Sequence, residues 1–171
     1  TIVTFNYTNP FKKNSIPTKA TEFIHIHGDI ENTTQPAELK LGVDEGVISE
    51  NSIISGEQTL PIVKSHENKY VDRLFQSLKT HKNVALYGHS LGQTDADYFK
   101  SYFLHIISGD IFGQNIYFVT KDVKGLQQIK NNLKKYGIEY DNVALSKCNV
   151  IPVYTEDGIN SKEFQELLNL I

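Results

Sequence analysis

From residue 67 onward, apolar runs of strand length alternate with segments whose apolar residues recur at helical spacing. Tyr70, Val71, Leu74, Phe75 and Leu78 predict an amphipathic helix over 67–80. A buried strand follows at Val84–Tyr87, then a second helix carrying Tyr98, Phe99, Tyr102, Phe103, Ile106 and Ile107. Asn115–Thr120 reads as a strand, and Val123, Leu126, Ile129 and Leu133 line a third helix with Gly137 at its C-terminal cap. Asn149–Tyr154 is another strand, and Phe164, Leu167 and Leu168 mark a last helix capped by Asn160 or Ser161. Such alternation builds βαβ units around a parallel sheet. The expected fold is a three-layer α/β domain with a mainly parallel sheet flanked by helices.

Three apolar runs end in polar clusters: TIVTF-NYTN, FIHI-HGD and NVALY-GHSLGQTD. Ligands of open α/β sheets bind beyond the carboxyl ends of the strands, so the clusters predict one composite site. Its candidates are Asn6, Thr8, Asn9, His27, Gly28, Gly88, His89, Ser90 and Asp95. The first half is otherwise less periodic. Strands are expected at Thr1–Phe5, Glu22–Ile26 and Glu38–Leu41, and residues 42–66 read as an insertion or mobile loop.

At 171 residues, with 39% apolar residues, the chain fits one domain with a substantial core. A net charge of −3 argues against a protein built around nucleic-acid phosphates. The lysines on and just before the third helix (Lys121, Lys124, Lys130, Lys134, Lys135) lie opposite an apolar face and read as a solvated surface. Cys148 is the only cysteine, which fits a reducing, cytoplasmic setting. No apolar run is long enough to span a bilayer. The first strand starts at the first residue, so the chain is expected to be the C-terminal portion of a longer protein. One sheet edge could then be left unpaired and support a homo-oligomer.

Each cluster has a plain structural explanation beside the functional one. Gly88-His89-Ser90-Leu91-Gly92 matches the G-x-S-x-G nucleophile elbow and lies between a strand and a helix. A hydrolase using Ser90 would need an acid and then a histidine downstream, yet only His105 follows, inside the next helix's packing stripe. The same turn serves equally as a phosphate or ribose cradle. Thr94 reads as the N-cap of that helix, with Asp95 and Asp97 in its first turn. His25 and His27 share one strand face. His27, at the strand end before Gly28, is the one able to reach a ligand. A zinc site lacks the necessary Cys/His cluster. Asn9 is explained by a turn before Pro10, whereas Asn6 suits recognition of a carboxamide.

Taken in order, FNYTN, HIHG, LGVDE and YGHSLGQTDADYF resemble the bacteriophage abortive infection AbiH family over roughly residues 1–155. That family is similar, distantly, to sirtuin-like NAD-binding domains. The resemblance implies a Rossmann-like fold lacking its N-terminal part and a phage-defence effector that binds or cleaves NAD or a related nucleotide. It places Asn6 at the nicotinamide end and His27 as the catalytic base. Gly88 and Ser90 fall on a turn near the adenosine half, and Asp95 on the aspartate that follows the Ser-Leu pair. Thr8 stands where sirtuins have an aspartate, and no G-x-G-x-x-G pyrophosphate loop occurs. Both departures favour an alternative: a non-catalytic module sensing a nucleotide or a phage protein. The 171-residue chain alone is expected to fold but to be catalytically silent, with no metal and no permanently bound cofactor.

Overall fold

The structure, a computed structural model, describes residues 2–4, 23–25, 68–92, 95–158 and 160–169. The expected strand at 38–41, the segment 42–66 and Thr94 lie outside the described residues. Contacts divide the chain into two units, Thr1–Leu74 with Ile171, and Phe75–Leu170.

In the first unit, β1 (Ile2–Thr4) pairs in parallel with β2 (Phe23–His25), Val3 opposite Ile24. Both fall inside the strands expected from their β-branched runs. Ile24 is buried.

The second unit is built on β3 (Asn83–Tyr87), β4 (Asn115–Thr120) and β5 (Asn149–Tyr154), parallel throughout and in that order. The helices are α1 (Asn68–Thr80, which begins in the first unit), α2 (Ala96–Ser108), α3 (Val123–Lys135), α4 (Tyr140–Ala144) and α5 (Lys162–Leu168). The sequence did not predict the single turn of α4 or the 3₁₀ turn Thr155–Asp157, because five and three residues are too short to display a period.

β4 is buried from its second residue to its last. Continuous burial identifies a strand covered on both faces. On one face Phe103 of α2 stacks on Phe118, ring centroids 6.1 Å apart, and Tyr140 of α4 meets the same ring at 5.9 Å. The opposite face carries Tyr117 and Val119, which join Val153, Leu167 and the partly buried Ile151 and Phe164 in a cluster under α5. The described part of the sheet is therefore α/β, with helices on both faces of its central strand.

Three devices set this packing. Asn83, Asn115 and Asn149 are the first residues of their strands and lie in register. Asn149 Nδ2 donates to Asn115 Oδ1 at 2.9 Å, and Asn115 Nδ2 to Asn83 Oδ1 at 2.8 Å. This amide ladder fixes the register at the amino edge of the sheet, where a slip of one residue would exchange its faces. The second device is Gly125, in the first turn of α3, where Asp122 caps the helix by accepting the Gly125 N–H at 2.9 Å. A Cβ there would lie 2.9 Å from the Thr120 Cβ, so only glycine lets α3 approach β4 this closely.

The third device is Gln114. Its buried Nε2 donates to the carbonyls of Leu78 (2.8 Å) and His81 (2.7 Å), with the Lys79 carbonyl at 3.2 Å. Its Oε1 accepts the Tyr102 hydroxyl at 2.8 Å. The amide thus satisfies carbonyls at the end of α1 that have no partner within the helix. Burial first, and Cys148 second, hold the Tyr102 phenol well above its ordinary pKa. The native state keeps that proton to a higher pH than the unfolded chain, so the associated stability is complete below about pH 10 and declines above it.

At the end of α3, the Gly137 N–H donates to Lys134 O and the Ile138 N–H to Leu133 O, a Schellman motif closed by Gly137 at φ 78°. The expected role of Gly137 is thus met. Ser161 rather than Asn160 caps α5, accepting the Phe164 N–H at 3.4 Å. Leu168, expected on the packing stripe of α5, stands exposed, because the seven-residue helix turns Leu167 inward instead.

Gln114→Leu is expected to lower stability by about 2–4 kcal/mol, since it orphans several buried polar groups at once. Urea denaturation with an unchanged m-value checks this; a loss within error would mean water satisfies those groups. Gly125→Ala should also destabilise, by about 1–3 kcal/mol of overpacking that exceeds the roughly 1 kcal/mol helix-propensity gain. A thermal melt that rises would show that α3 can step back from Thr120.

Candidate functional site

The turn that follows β3 brings together Gly88, His89, Ser90 and Asp95. Gly88, at φ 62°, prolongs the ladder by donating its N–H to Val119 O at 3.0 Å. The chain then folds so that the Leu91 side chain is fully buried. Leu91 has φ 52°, a left-handed conformation that costs a residue with a branched side chain roughly 1–2 kcal/mol. Among the described residues it is the only non-glycine with positive φ.

What holds Leu91 there comes partly from the turn itself. The His89 Nδ1 accepts the Leu91 N–H at 3.0 Å, which makes Nδ1 the unprotonated nitrogen of a neutral ring. The Nε2–H then faces Asp95, whose Oδ2 is 3.5 Å away, with both side chains 16% exposed. The imidazole also packs on Phe99 of α2, centroids 5.0 Å apart. Asp95 occupies the N-cap position of α2, with its N–H bonded to Gly92 O at 2.9 Å, but its side chain makes no capping hydrogen bond to the helix. Asp95, expected in the first turn of the helix, takes its N-cap position, and its carboxylate is directed at His89.

The remaining support comes from α3. Asn132, buried, donates its Nδ2 to Ser90 O at 2.8 Å. The Tyr136 hydroxyl bonds to the carbonyls of Leu91 and Gly92. Neither residue was identified from sequence, because they lie more than forty positions away and read as ordinary members of α3. A polar Asn on the inward side of an otherwise apolar stripe, beside Leu133, was the available signal.

The nucleophile-elbow reading does not fit this geometry. An elbow places its serine on the strained turn residue with the helix close behind. Here the strain falls on Leu91, and α2 begins only at Ala96. Ser90 is exposed, and its hydroxyl has no hydrogen-bond partner among the described residues. His105 is held by the Ser101 carbonyl at 2.8 Å and packs on Phe75. Among the described residues, what the turn offers is a cross-braced frame presenting the Ser90 hydroxyl and the exposed backbone of Gly88.

Asn6, Thr8, Asn9, His27 and Gly28 lie outside the described residues. Around the turn, the loops after β4 and β5 are tied together, the Glu156 N–H donating to Lys121 O at 3.0 Å. The lysine-rich side of α3 is solvated as expected at Lys124, Lys134 and Lys135, while Lys130 lies 4.5 Å from the centre of the Tyr140 ring. Among the described residues no group of three or more His, Cys, Asp or Glu side chains could hold a metal ion. No described helix is long and apolar enough to cross a membrane.

A family model described as "Bacteriophage abortive infection AbiH" matches residues 1–109. The match includes the 88–95 turn and ends at Gly109, the left-handed residue that closes α2, short of the span to 155 expected from sequence. No curated protein and no solved structure matches the chain.

Tyr136→Phe should cost about 1–2 kcal/mol and speed amide exchange at Leu91, because two carbonyls of a strained turn lose their donor. Hydrogen-exchange mass spectrometry over 88–95 checks this. Unchanged protection there would show that the His89 contact alone sustains the turn.

Proposed function

The chain belongs to the bacteriophage abortive infection AbiH family, and from that membership in phage defence we propose that it is an effector domain binding NAD or a related nucleotide beside the 88–95 turn. The observation that carries this reading is the strained, cross-braced Leu91 at the end of a parallel strand. Backbone strain of this kind is retained where a fixed shape serves a ligand, and strand carboxyl ends are where α/β sheets bind them.

In this reading Ser90 donates to or accepts from a ribose hydroxyl. Asp95 acts through His89, holding the ring so that Leu91 stays in place. Gly88 would allow close approach of the backbone, and the resemblance would give Gly28 the same role and Thr8 the place of an acidic partner. Cleavage would have Asn6 anchor the carboxamide while His27 takes a proton from water. The water oxygen would bond to the ribose carbon as the bond to nicotinamide breaks, its electrons leaving with the nicotinamide nitrogen. The sirtuin-like relationship belongs to this proposal and supports those roles by resemblance.

A second reading, a sensor that binds without turnover, is favoured by Thr8 in place of an acidic residue and by the lack of a G-x-G-x-x-G pyrophosphate loop in this sequence. His89, both of whose ring nitrogens face partners within the turn, braces the backbone in either reading.

Calorimetric titration with NAD, ADP-ribose and nicotinamide separates the readings. Binding of NAD or ADP-ribose is expected, weakened roughly 2- to 10-fold by Ser90→Ala, the value of one hydrogen bond. Absence of binding by all three ligands would defeat the nucleotide proposal. If the intact protein releases nicotinamide from NAD, His27→Ala should slow that release about 10²–10⁴-fold. Unchanged turnover would remove His27 from the mechanism, and binding without turnover would establish the sensor.

A further inference from the structure

Three described histidine side chains, His81, His89 and His105, meet the backbone through Nδ1, but the partners differ in kind. At His81 and His105 the Nδ1 faces a carbonyl, Ser77 O at 2.6 Å and Ser101 O at 2.8 Å, so there the nitrogen donates. An imidazolium keeps both of those bonds. At His89 the Nδ1 accepts the Leu91 N–H at 3.0 Å, and a proton on that nitrogen would set two N–H groups against each other. Of the three, His89 is the one that loses its backbone bond on becoming charged.

The other ring nitrogen pulls the opposite way. Nε2 lies 3.5 Å from Asp95 Oδ2, beyond the roughly 2.7–2.9 Å of a charge-assisted hydrogen bond. A nearby carboxylate favours the charged ring. Among the described residues Asp95 is the charged group that faces the imidazole. Phe99 of α2 packs on it without charge. The titratable Tyr136 hydroxyl and the Asn132 amide, both from α3, bond to the carbonyls of residues 90–92. The ring thus serves Leu91 when neutral and Asp95 best when charged, and cannot do both at once. Leu91, at φ 52°, has strain to release once its N–H loses that acceptor.

We propose that His89 is a proton-operated latch on the turn. Neutral, it holds Leu91 in the left-handed conformation; protonated, it pairs with Asp95 and lets the backbone beside Ser90 relax. The latched turn binds one proton fewer than the released one, so it prevails at higher pH. It gives way as pH falls through the range in which histidines charge, about pH 8 to 5. Ser90 lies between the latch and the residue it holds, so acid would reshape the surface that presents its hydroxyl. That this weakens nucleotide binding rests on the function proposed above; the latch itself does not.

Heteronuclear NMR of the ligand-free 171-residue chain, titrated from about pH 8 to 5, tests the latch whatever the turn binds. At the alkaline end the His89 ring should be the Nε2–H tautomer, with Nδ1 showing the shift of an accepting nitrogen. On acidification the Leu91 amide resonance should move in step with the ring. Its exchange, corrected for the intrinsic pH dependence, should rise roughly 5- to 10-fold, the value of one hydrogen bond. Asp95→Asn should shift this transition to lower pH, because the charged ring loses its counter-ion. His89→Asn should remove it, since an asparagine oxygen can accept the N–H two residues on and does not titrate. An Nδ1–H tautomer at the alkaline end, a Leu91 amide indifferent to the ring's titration, or a transition unmoved by Asp95→Asn or surviving in His89→Asn would each overturn the proposal. The titration of the unsubstituted chain decides the matter even if a variant fails to fold.

Discussion

Gln114 uses both ends of its carboxamide inside the protein, donating to carbonyls at the end of α1 and accepting the Tyr102 hydroxyl of α2. It immediately precedes β4, so one side chain ties two helices to the start of the central strand. Alternatives that part these elements expose or orphan several polar groups together, each costing on the order of 1–3 kcal/mol. Asn115, the next residue, continues the same logic sideways through the ladder to Asn83 and Asn149. Polar side chains thus fix the geometry of the amino edge of the sheet, and apolar packing above and below β4 fills it in.

The division has a consequence for the site. With register set at the amino edge, the carboxyl ends of β3 and β4 arrive at fixed positions, and Gly88 bonds across to Val119. α3, brought close to β4 by Gly125, carries Asn132 and Tyr136 to the carbonyls of the 90–92 turn. The shape of the turn is therefore determined by contacts from three separate parts of the sequence.

This explains what could be read in advance. The strands Asn115–Thr120 and Asn149–Tyr154 emerged at their observed bounds, because burial and β-branching leave a strong local signal. The C-terminal turn of α3 was equally legible in Gly137. Long-range polar contacts left almost none. The shared Asn at the head of three strands was visible as letters, but its meaning depends on a register that the letters do not contain. The G-x-S-x-G match was already disfavoured by the missing downstream histidine, and the backbone adds a second reason: the motif fixes residue types, whereas an elbow is defined by which residue carries the strain. That residue is Leu91, and only the backbone shows it. Asp95 was read as a first-turn residue of the helix and a candidate for the site, and the structure puts it at the N-cap position with its carboxylate toward His89.

A connection between a parallel strand and its following helix needs only about 2–6 residues, without strain. The link from β3 to α2 runs through residues 88–95 and includes a leucine in the left-handed region. It also includes an imidazole bonded to the backbone and facing a carboxylate, and two braces from α3. A chain selected only to connect two elements gains nothing from these costs, since a glycine at position 91 would relieve the φ strain. The leucine also fills the core, but any ordinary apolar position could do that at negative φ. What the arrangement adds is a fixed path for the backbone around Ser90, whose own side chain faces solvent. The strain and its braces are thus concentrated around Ser90, and this ties the packing of the second unit to the shape of the turn.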